Sequence, residues 1–349
     1  MLKIKLSNIF PSEPILRQTP GGSGVWGNCK FYLNEPLIQC DYWIVHEGLT
    51  KRETCLCPPD KILFITGEPP DYKAYNKAFL SQFPKIITCH KMNAHPNVIH
   101  TQQGLPWHTG WRRSTNKGAM AYDDFKRMRP LRKDKIISVI CSSEYRIPGH
   151  RKRLYFLDKL RNHFGQRLDV FGRGIRPVDD KWDAIAPYKY HIVLENSSVE
   201  HYWTEKLGDA YLGFAFPLYY GCPNINDYFN SKALQPIDIH NWRKSIQIIE
   251  DVINSSTYER SLQLITEARD AVLDKYNLFA MLADVISKDV PGDLAKRITL
   301  LPESGYRGRF AAAKQKITRL PGQIKYRLWL YKKTHSGVGG VAWNRWFPW

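Results

Sequence analysis

Residues 188–223 read YKYHIVLENSSVEHYWTEKLGDAYLGFAFPLYYGCP, and the fold is decided here. Tyr190–Leu194 is a short apolar run bounded by polar residues, the pattern of a buried strand. Glu195-Asn196-Ser197-Ser198 ends it, and Thr204 is a good N-cap for a helix over Glu205–Leu212. Gly213 suits the helix stop, and Phe216–Tyr220 is the next strand before the turn at Gly221. Lys206 fits this scheme badly. In a first helical turn a cation opposes the macrodipole unless an anion sits there too. A helix N-terminus attracts phosphate, and a lysine would strengthen that site. Alternatively, Lys206 pairs with Glu205 or Asp209 in solvent. Helix chemistry alone leaves both readings open.

Upstream, Lys135–Cys141 reads as a strand, Ser142–Gly149 as a loop and Arg151–Phe164 as a helix. Leu168–Phe171 is a further strand, ending in Gly172-Arg173-Gly174. This helix also opens on cations, His150-Arg151-Lys152-Arg153. Two basic helix starts that follow strand ends could converge on one diphosphate. Downstream, Trp242–Asn254, Thr257–Tyr276 and Leu278–Ser287 have amphipathic spacing and read as scaffold helices.

The first third alternates in the same way. Lys3–Leu6, Ile38–His46, Ile62–Thr66 and Lys85–Cys89 are strand candidates between turn-rich or helical segments, predicting an α/β unit with a mostly parallel sheet. Gly22-Ser23-Gly24-Val25-Trp26-Gly27 matches GxGxxG, but no strand precedes it and no helix follows, so it reads as a loop. In KILFITGEPPD, residues 61–71, a strand delivers Glu68 at its carboxyl end, where open α/β sheets bind ligands. Glu68 is either a general base or a solvated loop carboxylate. His90, His95, His100 and His108 lack the spacing of a zinc helix. Trp107, Trp111 and Tyr122 could stack on sugars or fill a core. RMRPLRKDK, residues 127–135, is basic and contains proline, which marks an interdomain linker.

The chain has 349 residues, enough for two domains, and its 43% hydrophobic and 24% charged content is globular. A net charge of +18 calls for an anionic partner: nucleic acid, acidic lipid or a phosphate-bearing substrate. No apolar run reaches about 18 residues, so no spanning helix is expected, and the N-terminus lacks the apolar core of a secretory signal. Seven scattered cysteines point to a reducing compartment rather than a disulfide framework.

Glu195-Asn196-Ser197, then Tyr202-Trp203-Thr204-Glu205-Lys206-Leu207, Pro217 and Tyr220-Gly221 resemble the donor signature of glycosyltransferase family 10, the α-1,3/1,4-fucosyltransferases. Arg153–Leu160, Val170–Arg173 and Phe229–Lys232 extend the likeness, which is strongest over 135–245. The resemblance implies the GT-B architecture, two Rossmann-like domains facing a cleft. The expected division is 1–128 for the acceptor domain, 129–135 for the linker, 136–303 for the nucleotide-sugar domain and 304–349 for a tail. By the same resemblance Arg153 and Lys206 hold the diphosphate of GDP-fucose, Asn196 and Glu205 bond the ribose or neighbouring groups, and Tyr202 lines the donor site. Glu195, Gly172, Arg173, Tyr220 and Gly221 are further candidate donor contacts, and Glu68 is the general base.

Transfer with inversion needs a base on the face opposite the departing diphosphate, hence on the other domain. No Asp-x-Asp triplet occurs in the chain, so two basic side chains would replace a metal and no cofactor is expected. Trp203 stands where the family has a small aliphatic residue, and Ala233-Leu234 where it has Ser-Phe, which leaves the sugar and the acceptor open. Without the membrane-anchoring N-terminus of animal members, the chain looks bacterial or viral in type.

Residues 304–349 hold ten Lys or Arg and no acidic residue, interleaved with aromatics and ending AWNRWFPW. A basic segment with aromatic edges suits an anionic membrane surface, with a cytoplasmic location on the inner face. Alternatively the tail folds back on the N-terminal domain. The expected activity is transfer of fucose from GDP-fucose to a cell-surface or lipid-linked glycan. The alternatives are another nucleotide-sugar on the same fold, or a basic nucleic-acid-binding protein. No recognised nucleic-acid module accompanies the charge, so no nucleic-acid partner is expected.

Overall fold

The computed structural model describes residues 1–306 apart from 11–12, 93–94, 116–118 and 291. The expected tail therefore lies, from residue 307 on, outside the described residues.

The chain opens with β1 (Leu2–Asn8), β2 (Val25–Trp26), β3 (Cys29–Leu33), β4 (Tyr42–His46), β5 (Glu53–Cys57), β6 (Ile62–Ile65), α1 (Lys77–Leu80), β7 (Lys85–Thr88), β8 (Val98–His100) and α2 (Tyr122–Arg127). One sheet runs in the order β2-β3-β1-β4-β6-β7-β8, antiparallel only where β2 meets β3. Ile4, Leu6, Ile44, Val45, Ile65 and Ile87 are buried along its central strands, as a parallel sheet covered on both faces requires. The run from Ile38 becomes a strand only at Tyr42, and Ile38 itself is 87% exposed.

The second half continues with β9 (Lys135–Ile140), α3 (Pro148–Phe164), β10 (Leu168–Phe171), α4 (Trp182–Ile185), β11 (Tyr188–Leu194), α5 (Glu205–Leu212), β12 (Phe216–Tyr220) and β13 (Gln235–Pro236). After these come α6 (Trp242–Ile253), α7 (Thr257–Asp274), α8 (Leu278–Ser287) and β14 (Lys296–Leu300). The second sheet, β10-β9-β11-β12-β13, is parallel throughout. Within it β11-α5-β12 is the stretch quoted at the outset, with α5 and β12 on the expected residues. The two α/β units face each other across one cleft, the GT-B arrangement.

The packing units depart from the expected ranges. Trp107 and Phe125, expected in the first domain, are buried in the second unit's core. Leu278, Phe279, Met281, Leu282 and Ile286 of α8, expected in the second, pack with Ile4, Leu6 and Phe31 under the first sheet. β14 then pairs antiparallel with β5. The chain thus crosses between units near Gly104 and again near Asn277, and the two crossings touch: a Cβ at Gly104 would stand 2.8 Å from the Leu278 Cα. Nor is 129–135 a free linker. Lys133 Nζ donates to the carbonyls of Ala186 and Gly213, at the C-terminal ends of α4 and α5. Both helix ends favour a cation there, against the burial that pushes the Lys133 ammonium down to about 7.

Candidate active site

The loop between β11 and α5 is locked from beneath. Glu195 is fully buried, and its carboxylate accepts from Thr204 N and Oγ1 at 2.8 Å and from Lys206 Nζ at 3.1 Å. Thr204 Oγ1 in turn caps α5, accepting from Lys206 N. Gly221 lets the next strand end pass: a Cβ there would meet Glu195 Cγ at 2.5 Å. The start of α3 presses on the same loop, because a Cβ at Gly149 would stand 1.8 Å from the Asn196 carbonyl oxygen. Glycine at 149 therefore brings the helix carrying Arg153 against the loop carrying Asn196.

These elements form one wall of a cavity of about 600 Å³. Arg153 is 4% exposed; its Nη1 donates to the Leu194 carbonyl at 3.1 Å, and its buried Nε has no partner among the described residues. A buried guanidinium left incompletely bonded is a group awaiting an acceptor. Lys206 is more fully engaged: besides Glu195, its ammonium meets Thr204 Oγ1 at 2.8 Å and Glu205 Oε1 at 3.5 Å. Burial acts to lower its pKa, but Glu195 and Glu205 outweigh burial and raise it. The solvent pairing open from the sequence is thus replaced by a largely buried one, with Glu195 as the principal partner. Glu205 also meets Lys181 at 3.4 Å and His108 at 3.6 Å. Burial would raise its carboxyl, yet Lys206, Lys181 and His108 hold it well below the usual carboxylate range.

The opposite wall comes from the first unit. Glu68, just past the end of β6, lines the cavity with Tyr72. Burial first, and then the charge of Glu47, push the Glu68 carboxyl up to about 7, against the pull of Lys206. Such a carboxylate is poised to take a proton near neutrality.

Of the expected residues, Glu68, Arg153, Asn196, Glu205, Lys206, Gly172 and Arg173 line this one cavity. Four do not. Tyr202 is 2% exposed within the protein, and Glu195 and Gly221 lie beneath the loop. Tyr220 turns its hydroxyl to His240 at 3.4 Å. Trp107 and Trp111 are buried, which removes them as sugar-stacking surfaces. Sequence reasoning missed Lys181, His108 and His150 as cavity residues. Burial, with Arg153, Arg146 and Lys206 nearby, pushes the His150 imidazole down to about 3 and keeps it neutral. Its place in a basic helix start was the one available signal. Among the described residues no group of three or more His, Cys, Asp or Glu could hold a metal, and no helix is long and apolar enough to cross a membrane.

Residues 131–260 match the family described as glycosyltransferase family 10 (fucosyltransferase) C-term. An α-(1,3)-fucosyltransferase of Helicobacter pylori is 27% identical over 84 residues, 24% of this chain and 17% of the relative. An α-(1,4)-fucosyltransferase of Arabidopsis thaliana is 25% identical over 202 residues, 51% of this chain and 48% of the relative. The chain thus spans about half, or less, of the length of these curated relatives. A solved α1,3-fucosyltransferase with GDP-fucose is 18% identical, covering 79% of this chain and 92% of the other with a TM-score of 0.45. Over residues 131–260, where the cavity's basic wall is built, the chain is thus similar to the C-terminal domain of glycosyltransferase family 10.

Proposed function

We propose that the protein transfers fucose, with inversion, from GDP-fucose to a hydroxyl of a cell-surface or lipid-linked glycan. The observation that carries this reading is the placement of Glu68 on one wall of the cavity and Arg153, Asn196 and Lys206 on the other. Glu68 takes the proton of the acceptor hydroxyl as that oxygen attacks the anomeric carbon. Arg153, supported by Lys206, stabilises the charge that develops on the departing diphosphate. Fixed cations at this position make the mechanism independent of a metal, so transfer persists in chelator. Glu205, an anion beside two lysines, suits bonding to ribose hydroxyls.

A thermal-shift screen of nucleotides tests the donor. GDP-fucose and GDP at about 100 times Kd add about 2.7 kcal/mol of stability. Stabilisation by a different nucleotide-sugar, without GDP-fucose, would replace the sugar and keep the fold's chemistry. No response to any nucleotide-sugar, with salt-dependent RNA binding instead, would overturn the reading.

The basic tail, residues 304–349, places the enzyme at the cytoplasmic face of an anionic membrane in this proposal. Truncation is best made after Tyr306, because Glu303 accepts from Asn76 N at 2.9 Å and steadies the loop beyond Glu68. The truncated protein is expected to lose sedimentation with anionic-lipid vesicles while keeping its response to GDP. Undiminished vesicle binding would remove the membrane role.

A further inference from the structure

Beneath Glu68 lies a second carboxylate that takes no part in the cavity. Glu47 follows β4 with φ of 65° and is 4% exposed. Its Oε2 accepts from the Gly67 amide and, at 2.6 Å, from the Tyr75 hydroxyl. Its Oε1 accepts from Lys73 Nζ at 2.7 Å. The Tyr75 oxygen also lies 3.3 Å from both the Gly67 and Glu68 amide nitrogens, as their acceptor. On the other side, His90 Nε2 donates to the Glu68 carbonyl at 2.8 Å. A side chain at 67 would crowd this arrangement, since a Cβ there stands 2.9 Å from Glu47 Oε2. Every backbone polar group of Glu68 is thus held, while its carboxylate makes no hydrogen bond or ion pair among the described residues.

We propose that Glu47 is a positioning residue for the transfer: with Tyr75 it clamps the Gly67–Glu68 peptide so that the Glu68 carboxylate stands free in the cleft. This rests on the reading of Glu68 as the base. Glu47 cannot be that base itself, because its oxygens are already taken by Gly67, Tyr75 and Lys73. Its charge has a second effect. The groups around Glu68 are Glu47 past β4, Lys73 and Tyr75 on its own loop, His90 past β7, Glu205 and Lys206 across the cleft, and the buried Tyr202. Among the charges, Glu47 contributes most to raising the Glu68 pKa. Removing that negative charge makes Glu68 a weaker base.

The test compares three full-length variants by GDP release from GDP-fucose. Glu47→Gln keeps an oxygen for the Gly67 amide and Tyr75 but loses the charge. Its acid limb in kcat/KM is expected to move down by about 0.5–1 unit. Tyr75→Phe keeps the ring against Phe64 and loses the clamp, so kcat falls about tenfold while GDP affinity is unchanged. Wild-type kcat for Tyr75→Phe, or an unmoved limb for Glu47→Gln, overturns the inference. Should Glu47→Gln not fold, Tyr75→Phe still decides. Glu68→Gln separates the two readings: an active Glu68→Gln sinks the base assignment itself. An inactive Glu68→Gln beside unaffected Glu47 and Tyr75 variants sinks only the positioning role.

Discussion

Glu68→Gln is expected to lower the rate of fucosyl transfer about 10²- to 10⁴-fold while GDP affinity is kept. The amide preserves the size of the side chain and cannot accept the acceptor's proton. Donor affinity persists because the residues proposed to hold the diphosphate, Arg153 and Lys206, belong to the other wall of the cleft. In the proposed mechanism the same carboxylate sets the pH dependence. Only its ionised form is a base, so kcat/KM rises with pH through about 7 and levels above it. A wild-type profile flat from pH 5 to 8, or substantial transfer by the variant, would move the base elsewhere.

Lys206→Ala acts first on the fold. Its ammonium is the cationic partner of Glu195, which is fully buried. Leaving that carboxylate buried with only the donors of Thr204 costs about 3–5 kcal/mol, read as a lower denaturation midpoint. GDP affinity falls about 10- to 100-fold as well, as expected for a lost charged contact. Pairing Lys206→Met with Glu195→Gln separates the effects. The double variant leaves no uncompensated charge and regains most of the stability, yet binds GDP weakly. Wild-type GDP affinity in that stable double variant would make Lys206 a purely structural residue. A Lys206→Ala protein as stable as wild type would deny the pairing.

The second unit was legible because its signals are local. Thr204 caps α5 through its own side chain, Gly213 stops it, and the apolar runs of β11 and β12 lie close on either side. Glu68 was legible for the same reason, as the residue just past a short apolar strand. What escaped depends on distant partners. β5 has no distinctive pattern of its own; it is a strand because β14 pairs with it, placing Thr54 opposite Thr299 at 245 positions' remove. The amphipathic face of α8 was visible, but which sheet it would cover was not. Glu195 is a candidate donor contact in the sequence as part of the Glu195-Asn196-Ser197 motif. Asn196 lines the cleft, whereas the Glu195 side chain is drawn beneath the loop by its bonds to Thr204 and Lys206. Glu47 gave no signal at all, since its role exists only where β4, β6 and the loop to Tyr75 meet.

The touching crossings at Gly104 and Leu278 nest one unit inside the other. The inner unit's core runs continuously from Trp107 to Leu273, whereas the outer one draws on Ile4 through Ile87 and again on Leu278 through Ile286. As the chain leaves the ribosome, the half that emerges first is therefore the last to be completed. Its sheet waits, with an apolar face uncovered, through the synthesis of the entire second unit. For that interval the β1–β8 region presents apolar surface through which the chain can aggregate.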